Sequence, residues 1–454
     1  MKYITFRRIV SSSLFVSYAA LHATALSLND AIEVLKTQNL EIKAASLDAQ
    51  SAQRDLKIAQ GHSYGSLDFT QTASRSNDAG NVFGFKLSSR EAAFGDFGFA
   101  QFDNSNPNIL TLQPKDLNYP GYQNFHQSKL TYSLPLYTGG KLSGYEKIAA
   151  QMEKIKQLDT ASVTAEKIYQ TRKSYYDMAL IEDSITHMNL ILNNITALEK
   201  TVSAMITEGY AKKVDLLEVQ AKKANVIRTL QELKNNQKLT LHFLSFLLNQ
   251  NITEITLPNL QSLQTNISEA DVMASNLDLQ KASSGLEIRA QMIDVATASY
   301  LPQIGAFGEA STADDTFLGD FGKHKAYTIG ARLSWNLFNG NIDNQTLEKA
   351  RIEHLKSKTQ IELAKKGISL QYDQIRTEIQ NDDFQIQSLT KELELSEAIY
   401  RNYEGRYREH LASMSDVLIK HSGQIEKILA LQNIKNQRNE RIFALEKLTA
   451  GAQQ

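Results

Sequence analysis

Apolar and polar residues alternate strictly through residues 327–337. Tyr327, Ile329, Ala331, Leu333, Trp335 and Leu337 hold the odd positions; Thr328, Gly330, Arg332, Ser334 and Asn336 hold the even ones. A period of two over about ten residues is the length and pattern of a transmembrane β-barrel strand, one face in lipid and the other on a wet lumen. Leu130, Tyr132 and Leu134, set against Thr131 and Ser133, show the same pattern. On this basis four strands are expected, 66–73 and 125–136 in one hairpin, 303–310 and 326–337 in another. The strand leaving each hairpin alternates well, the strand leading into it weakly.

Between the hairpins the period changes to that of helices. All six prolines (Pro107, Pro114, Pro120, Pro135, Pro258 and Pro302) fall near the hairpins or in one linker. The proline-free remainder predicts helices over 26–60, 141–207, 214–248, 343–409 and 413–449, with a further helix opening a second half near 267. A helix over 141–207 would be about 100 Å long. No globular core supports such a length, so it must pack along neighbours as in a coiled coil or a helical barrel. Met188, Leu190, Ile191, Leu192 and Ile195 offer broad apolar faces for that packing.

The chain also repeats itself. Asn39-Leu40-Glu41-Ile42 is echoed by Asn276-Leu277-Asp278-Leu279 at an offset of 237. Leu136-Tyr137-Thr138-Gly139 is echoed by Leu337-Phe338-Asn339-Gly340, and Asp215-Leu216-Leu217 by Asp416-Val417-Leu418, both at 201. An internal duplication explains this. The first repeat is expected over 26–257, with a hairpin at about 62–138, and the second over 267–450, with a hairpin at about 303–338; 258–266 is the linker. The two offsets differ by 36 residues, which places an enlarged loop at 76–124 of the first hairpin. Four strands do not close a barrel, since the smallest transmembrane barrels need about eight. Open strand edges are not tolerated in lipid, so several copies must share one barrel. Two copies would give eight strands and three would give twelve.

Composition narrows the class. The net charge of −1 gives no nucleic-acid footprint. With no cysteine there is no disulfide, thiolate metal site or cysteine nucleophile. Met1-Lys2 to Arg7-Arg8 is a positive leader, 9–21 is a short apolar run, and Ala23-Thr24-Ala25 is a small-x-small site. Residues 1–25 therefore read as a secretory signal peptide cleaved after Ala25. No other stretch is long and apolar enough for a membrane helix, so any membrane contact comes through strands.

Together these features resemble the outer-membrane efflux protein family typified by TolC. The motifs carrying the resemblance are Leu136-Tyr137-Thr138-Gly139-Gly140-Lys141, its second copy Trp335-Asn336-Leu337-Phe338-Asn339-Gly340-Asn341, and the segment from Arg406-Tyr407 through Ser413-Met414-Ser415-Asp416-Val417-Leu418. The resemblance implies a mainly α fold with a small β part. It would be a homotrimer whose chains give four strands each to one transmembrane β-barrel, continued by a long α-helical barrel. It further implies an outer-membrane location in a Gram-negative bacterium, with most of the mass in the periplasm. The implied role is the passive exit duct of a tripartite efflux or type I secretion system. Its partners would be a periplasmic adaptor, an inner-membrane RND or ABC transporter and the lipid bilayer. Asp215, Tyr407 and Asp416 match family positions of a periplasmic gate. Gly209, Tyr210, Leu411, Ala412 and Ser413 fall at the adaptor-docking tips.

Physically, three copies of Asp416 brought together would form a cation-selecting ring, and a tyrosine–aspartate hydrogen bond between coils would hold it shut. The family's gate arginine falls at Ala412 and its second ring aspartate at Ile419, so the lock would be weaker or would use Lys212, Lys213 or Arg408. The alternative role for Asp215 and Asp416 is to cap the helices that follow. Tyr137, Trp335 and Phe338 suit an aromatic girdle at the membrane interface.

Other chemistry is absent from the pattern. Gly61-His62-Ser63-Tyr64-Gly65 matches G-x-S-x-G, but it runs from helix into strand, the reverse of a nucleophile elbow. The nine histidines show no helical i, i+4 pairing, and no Walker loop is present. Asp314, Asp315 and Asp320 lack a calcium-loop spacing and read as a solvated mouth. No enzyme activity, cofactor, metal or nucleic-acid partner is therefore expected. The competing class is a periplasmic coiled-coil adaptor or scaffold without a pore. The aromatic run Phe83, Phe85, Phe94, Phe97, Phe99 and Phe102 would cap the mouth, fold into it or extend the hairpin.

Overall fold

The structure, a computed structural model, describes residues 25–259, 263–319 and 322–453. Apart from Ala25, the expected signal peptide lies outside these residues, as does Asp320. The described residues divide into two compact units, one made of those within 1–45, 160–277 and 366–454, the other of those within 46–159 and 278–365.

The second of these units holds the sheet. Strands β1 (Ser66–Ser76), β2 (Gln123–Tyr137), β3 (Gln303–Asp314) and β4 (Lys325–Ser334) pair in that order, each antiparallel to the next. Register sorts the side chains. Phe69 lies opposite Leu130, Leu130 opposite Ala310, and Ala310 opposite Tyr327. Leu67, Tyr132, Gly308 and Ile329 form the next row of the same face. That face is apolar and bare, with Tyr327 81% and Ile329 80% exposed. The opposite face carries Thr70, Lys129, Thr131, Glu309, Thr328 and Arg332, with Lys129 paired to Glu309 at 2.8 Å. An apolar face backed by a polar one is the lipid and lumen arrangement that the alternation predicts.

The ladder shifts the expected strand ends. β4 stops at Ser334, opposite Gln303, because Pro302 has no amide hydrogen with which to continue. Beyond it the Trp335 indole N–H donates to the Tyr300 carbonyl at 3.0 Å. The 76–124 loop is built around α3 (Ala79–Ser88) and α4 (Lys115–Asn118). α3 lies on the sheet: Phe85 stacks on Phe125 at 4.3 Å, and by alternation Phe125 shares the polar face of Lys129. Of the three placements open to the aromatic run, Phe85 thus takes the inward one.

The helix pieces in this unit come from α2 (Leu40–Gly61), α5 (Lys141–Thr207), α8 (Leu277–Thr297) and α9 (Ile342–Arg408). All attach at the same end of the sheet, opposite the loops. Gly139 and Gly140 (φ +66° and +88°) turn β2 into α5; Gly340 and Asn341 (both +69°) sit before α9. Two successive left-handed residues explain the glycine signature, and at Gly139 a Cβ would also meet the Ala298 carbonyl at 2.9 Å.

The first unit is helical. It holds α1 (Leu28–Gln38), α6 (Lys213–Leu248), α7 (Glu269–Ser275), α10 (Met414–Leu448) and the larger parts of α5 and α9. The single helix expected over 26–60 is broken at Asn39, which ends α1 with extended backbone. Its Oδ1 accepts from the amides of Glu41 and Ile42, and its Nδ2 donates to the Leu247 carbonyl at 2.8 Å. Asn276, its echo, donates to the carbonyl of Leu448, the echo of Leu247. The duplication is thus visible as one buried hydrogen bond made twice. Around these bonds sit two cores, one of Leu35, Tyr175, Leu244 and Leu247 and one of Val272, Ile379, Ile442 and Leu445.

Candidate gate and docking tips

At one end of the helical unit, α5 turns into α6 and α9 turns into α10. Both turns use the same backbone device. Gly209 (φ +80°) donates to the Ile206 carbonyl at 3.0 Å and Tyr210 to that of Met205 at 2.7 Å. In the other copy His410 (φ +60°) donates to Tyr407 at 3.0 Å and Leu411 to Arg406 at 2.7 Å. This is a left-handed helix terminus that satisfies the last carbonyls. The rings of Tyr210 and His410 meet at 5.4 Å, so the two tips touch, with Tyr210, Leu411 and Ser413 exposed and Ala412 half-buried.

The aspartates lie one turn further on, and neither is an N-cap. Ser413 caps α10: its hydroxyl accepts from the Asp416 amide at 3.1 Å, and the Asp416 carboxylate accepts from the Ser413 amide at 3.2 Å and hydroxyl at 2.6 Å. This reciprocal box holds the exposed Asp416 carboxyl below the usual carboxylate range, with Lys420 and Arg406 adding to it. In the other copy Lys212 stands at the cap without a side-chain bond, and only the return arm remains, from the Lys212 amide to Asp215 at 2.9 Å. Capping work thus falls to both aspartates, from the third helical position rather than the cap itself.

Tyr407 is separate from this chemistry. It is buried in a core with Val202, Val219, Tyr400, Met414 and Val417. Its hydroxyl has no hydrogen-bond partner among the described residues. Burial first and the charge of Asp215 second hold its proton more tightly than usual. Of the cations expected to stand in for a gate arginine, Arg408 pairs with Glu404 at 2.7 Å. The cations at Asp416 are Lys420 and Arg406, which flank the Tyr403 ring at 5.3 and 5.4 Å. Lys420 was legible as an i, i+4 partner of Asp416; Arg406 needed the fold.

In the sheet-bearing unit, Tyr137, Trp335 and Phe338 all stand exposed at the helix-bearing end of the sheet.

The family model of outer membrane efflux proteins matches residues 31–250 and 270–451. Among solved structures, CusC has a TM-score of 0.78 at 14% identity, over 95% of this chain and 96% of its own. VceC from Vibrio cholerae has a TM-score of 0.75 at 16% identity, over 93% and 96%. MtrE from Neisseria gonorrhoeae, solved in its open state, has a TM-score of 0.72 at 15% identity, over 93% and 89%. No curated protein sequence matches. With a family model spanning most of its length and a four-stranded sheet bare on its apolar face, the chain belongs to the outer membrane efflux protein family.

Proposed function

We propose that three copies of the chain share one twelve-stranded barrel and form the passive exit duct of a tripartite export system. The observation behind this is the sheet itself: two unpaired edges, at β1 and β4, and one apolar face without cover. The apolar face needs lipid, and the edges, unpaired among the described residues, are not stable there for a single chain. Family channels work as homotrimers with an adaptor and an inner-membrane pump, and no nucleotide-binding loop stands in this sequence to supply energy itself. The second prop is the pair of helical tips, which offer Gly209, Tyr210, Leu411, Ala412 and Ser413 as the docking surface for the adaptor. Asp215, Tyr407 and Asp416 stand behind those tips as the gate. Tyr137, Trp335 and Phe338 lie at the membrane boundary on the helix-bearing side.

In detergent the protein should run as a trimer and conduct cations in a planar bilayer. A monomer that stays in solution without detergent overturns the proposal. Asp416→Ala should raise conductance or lower cation preference; unchanged values remove Asp416 from the gate while leaving the channel intact.

A further inference from the structure

Spacing along the chain gives no metal signal, because the ligands come from the loops of two hairpins far apart in sequence. At the loop end of the sheet, Glu91 follows α3, Asp314 ends β3, and His324 precedes β4. One ligand atom from each lies within 4.8 Å of the other two. A metal with bonds of about 2.1 Å holds its ligand atoms roughly 3–4 Å apart, so only a small inward movement of side chains is needed.

Hydrogen bonds around the cluster already orient all three groups; His324 Nδ1 donates to the Ala313 carbonyl at 3.1 Å, which leaves Nε2 as the ligating nitrogen. The Thr316 amide and hydroxyl both donate to Asp314 Oδ1 at 3.1 Å. Asp314 Oδ2 lies 3.5 Å from His324 Nδ1. The buried Ser89 hydroxyl donates to one oxygen of Glu91 at 3.0 Å. Ligand-orienting bonds of this kind accompany metal sites. Directly across the ladder from Asp314 stands His126, whose ring meets Phe317 of the same loop at 6.0 Å. Its enclosed Nδ1 has no hydrogen-bond partner among the described residues.

We propose that Glu91, Asp314 and His324 bind one divalent first-row cation of the zinc or manganese kind, tying the long loop of the first hairpin to the short loop of the second. One imidazole with two carboxylates suits such ions, with water completing the shell, whereas calcium prefers six to eight oxygens. Glu91 lies within the enlarged loop that the second repeat lacks, so the site exists only because the two copies diverged.

The test uses the full-length mature protein in detergent, tag removed and stripped with a chelator, titrated calorimetrically with zinc chloride. One zinc per chain is expected, with calcium at the same concentration failing to compete. Asp314→Asn and His324→Ala should each weaken binding by roughly 10- to 100-fold, judged on variants that still elute as the parent does. His62→Ala, which changes an exposed histidine outside the cluster, should bind as the parent does. Zinc should also raise the parent's melting temperature but not that of His324→Ala. Well under one zinc per chain, full competition by calcium, parental affinity in His324→Ala, or equal loss in His62→Ala would each overturn the assignment.

Discussion

The two helical tips have the same backbone and different side chains. Gly209 and His410 hold the same left-handed position, Lys212 and Ser413 the same cap, Asp215 and Asp416 the same third helical position. Five positions beyond Asp416 the copies part more sharply. His421 is 1% exposed, against the ring of Tyr400 at 4.9 Å, whereas its counterpart Gln220 lies at the surface and donates to Glu199 at 3.2 Å. Duplication preserved the turn geometry and left each copy free to load it with its own chemistry. The first tip keeps cheap backbone and a weak cap; the second has a strained residue, a full cap and a buried base.

The largest expected asymmetry is in acid. Neither ring nitrogen of His421 has a hydrogen-bond partner among the described residues, and burial, with Lys222 nearby, pushes its pKa down to about 4. The folded value thus lies below the ordinary value of about 6.5. Stability is complete above that ordinary value and is lost as pH falls toward the folded one. Denaturation of the detergent-solubilised protein between pH 7 and pH 4 should reveal a loss of roughly 3 kcal/mol per chain from this group. His421→Leu should remove that share of the loss, and Gln220→Leu should leave it in place.

Next come the repeated asparagines. Asn39→Ala removes a cap and a buried bond to Leu247, and should cost about 2 kcal/mol. The same change at Asn276, whose bond to Leu448 is 3.3 Å, should cost less. Melting temperatures of the two variants would rank them; equal losses would mean the second copy is as tightly held as the first.

Smaller effects separate the tips themselves. Ser413→Ala should cost about 1 kcal/mol, while Lys212→Ala, which removes no side-chain cap, should change stability very little. Finally, Gly209→Ala and His410→Gly should move stability in opposite directions by about 0.5–1 kcal/mol, the first down and the second up. If both lowered it, the Tyr210–His410 contact would outweigh the relief of backbone strain at His410.

Much of the candidate site was readable locally. A serine three residues before Asp416 announces a capping box, and glycine at 209 announces a left-handed helix end. Reading Asp215 and Asp416 as caps missed by three residues, because an aspartate at the cap and one at the third helical position look alike until the first amide is located. The burial of Tyr407 could not be read, since it depends on α5, α6 and α10 converging around it.

The sequence by itself determined what repeats at short range. Alternation marks the strands and assigns their two faces; freedom from proline marks the long helices; the echoed motifs disclose the duplication. Each of these follows from a period or a backbone requirement that acts within a few residues. Tertiary structure alone decided what register and packing bring together: Asn39 with Leu247, His421 with Tyr400, Phe85 with Phe125, and Glu91 with Asp314 and His324. Those pairings rest on which ladder rungs and helix faces meet, and no local pattern encodes that choice.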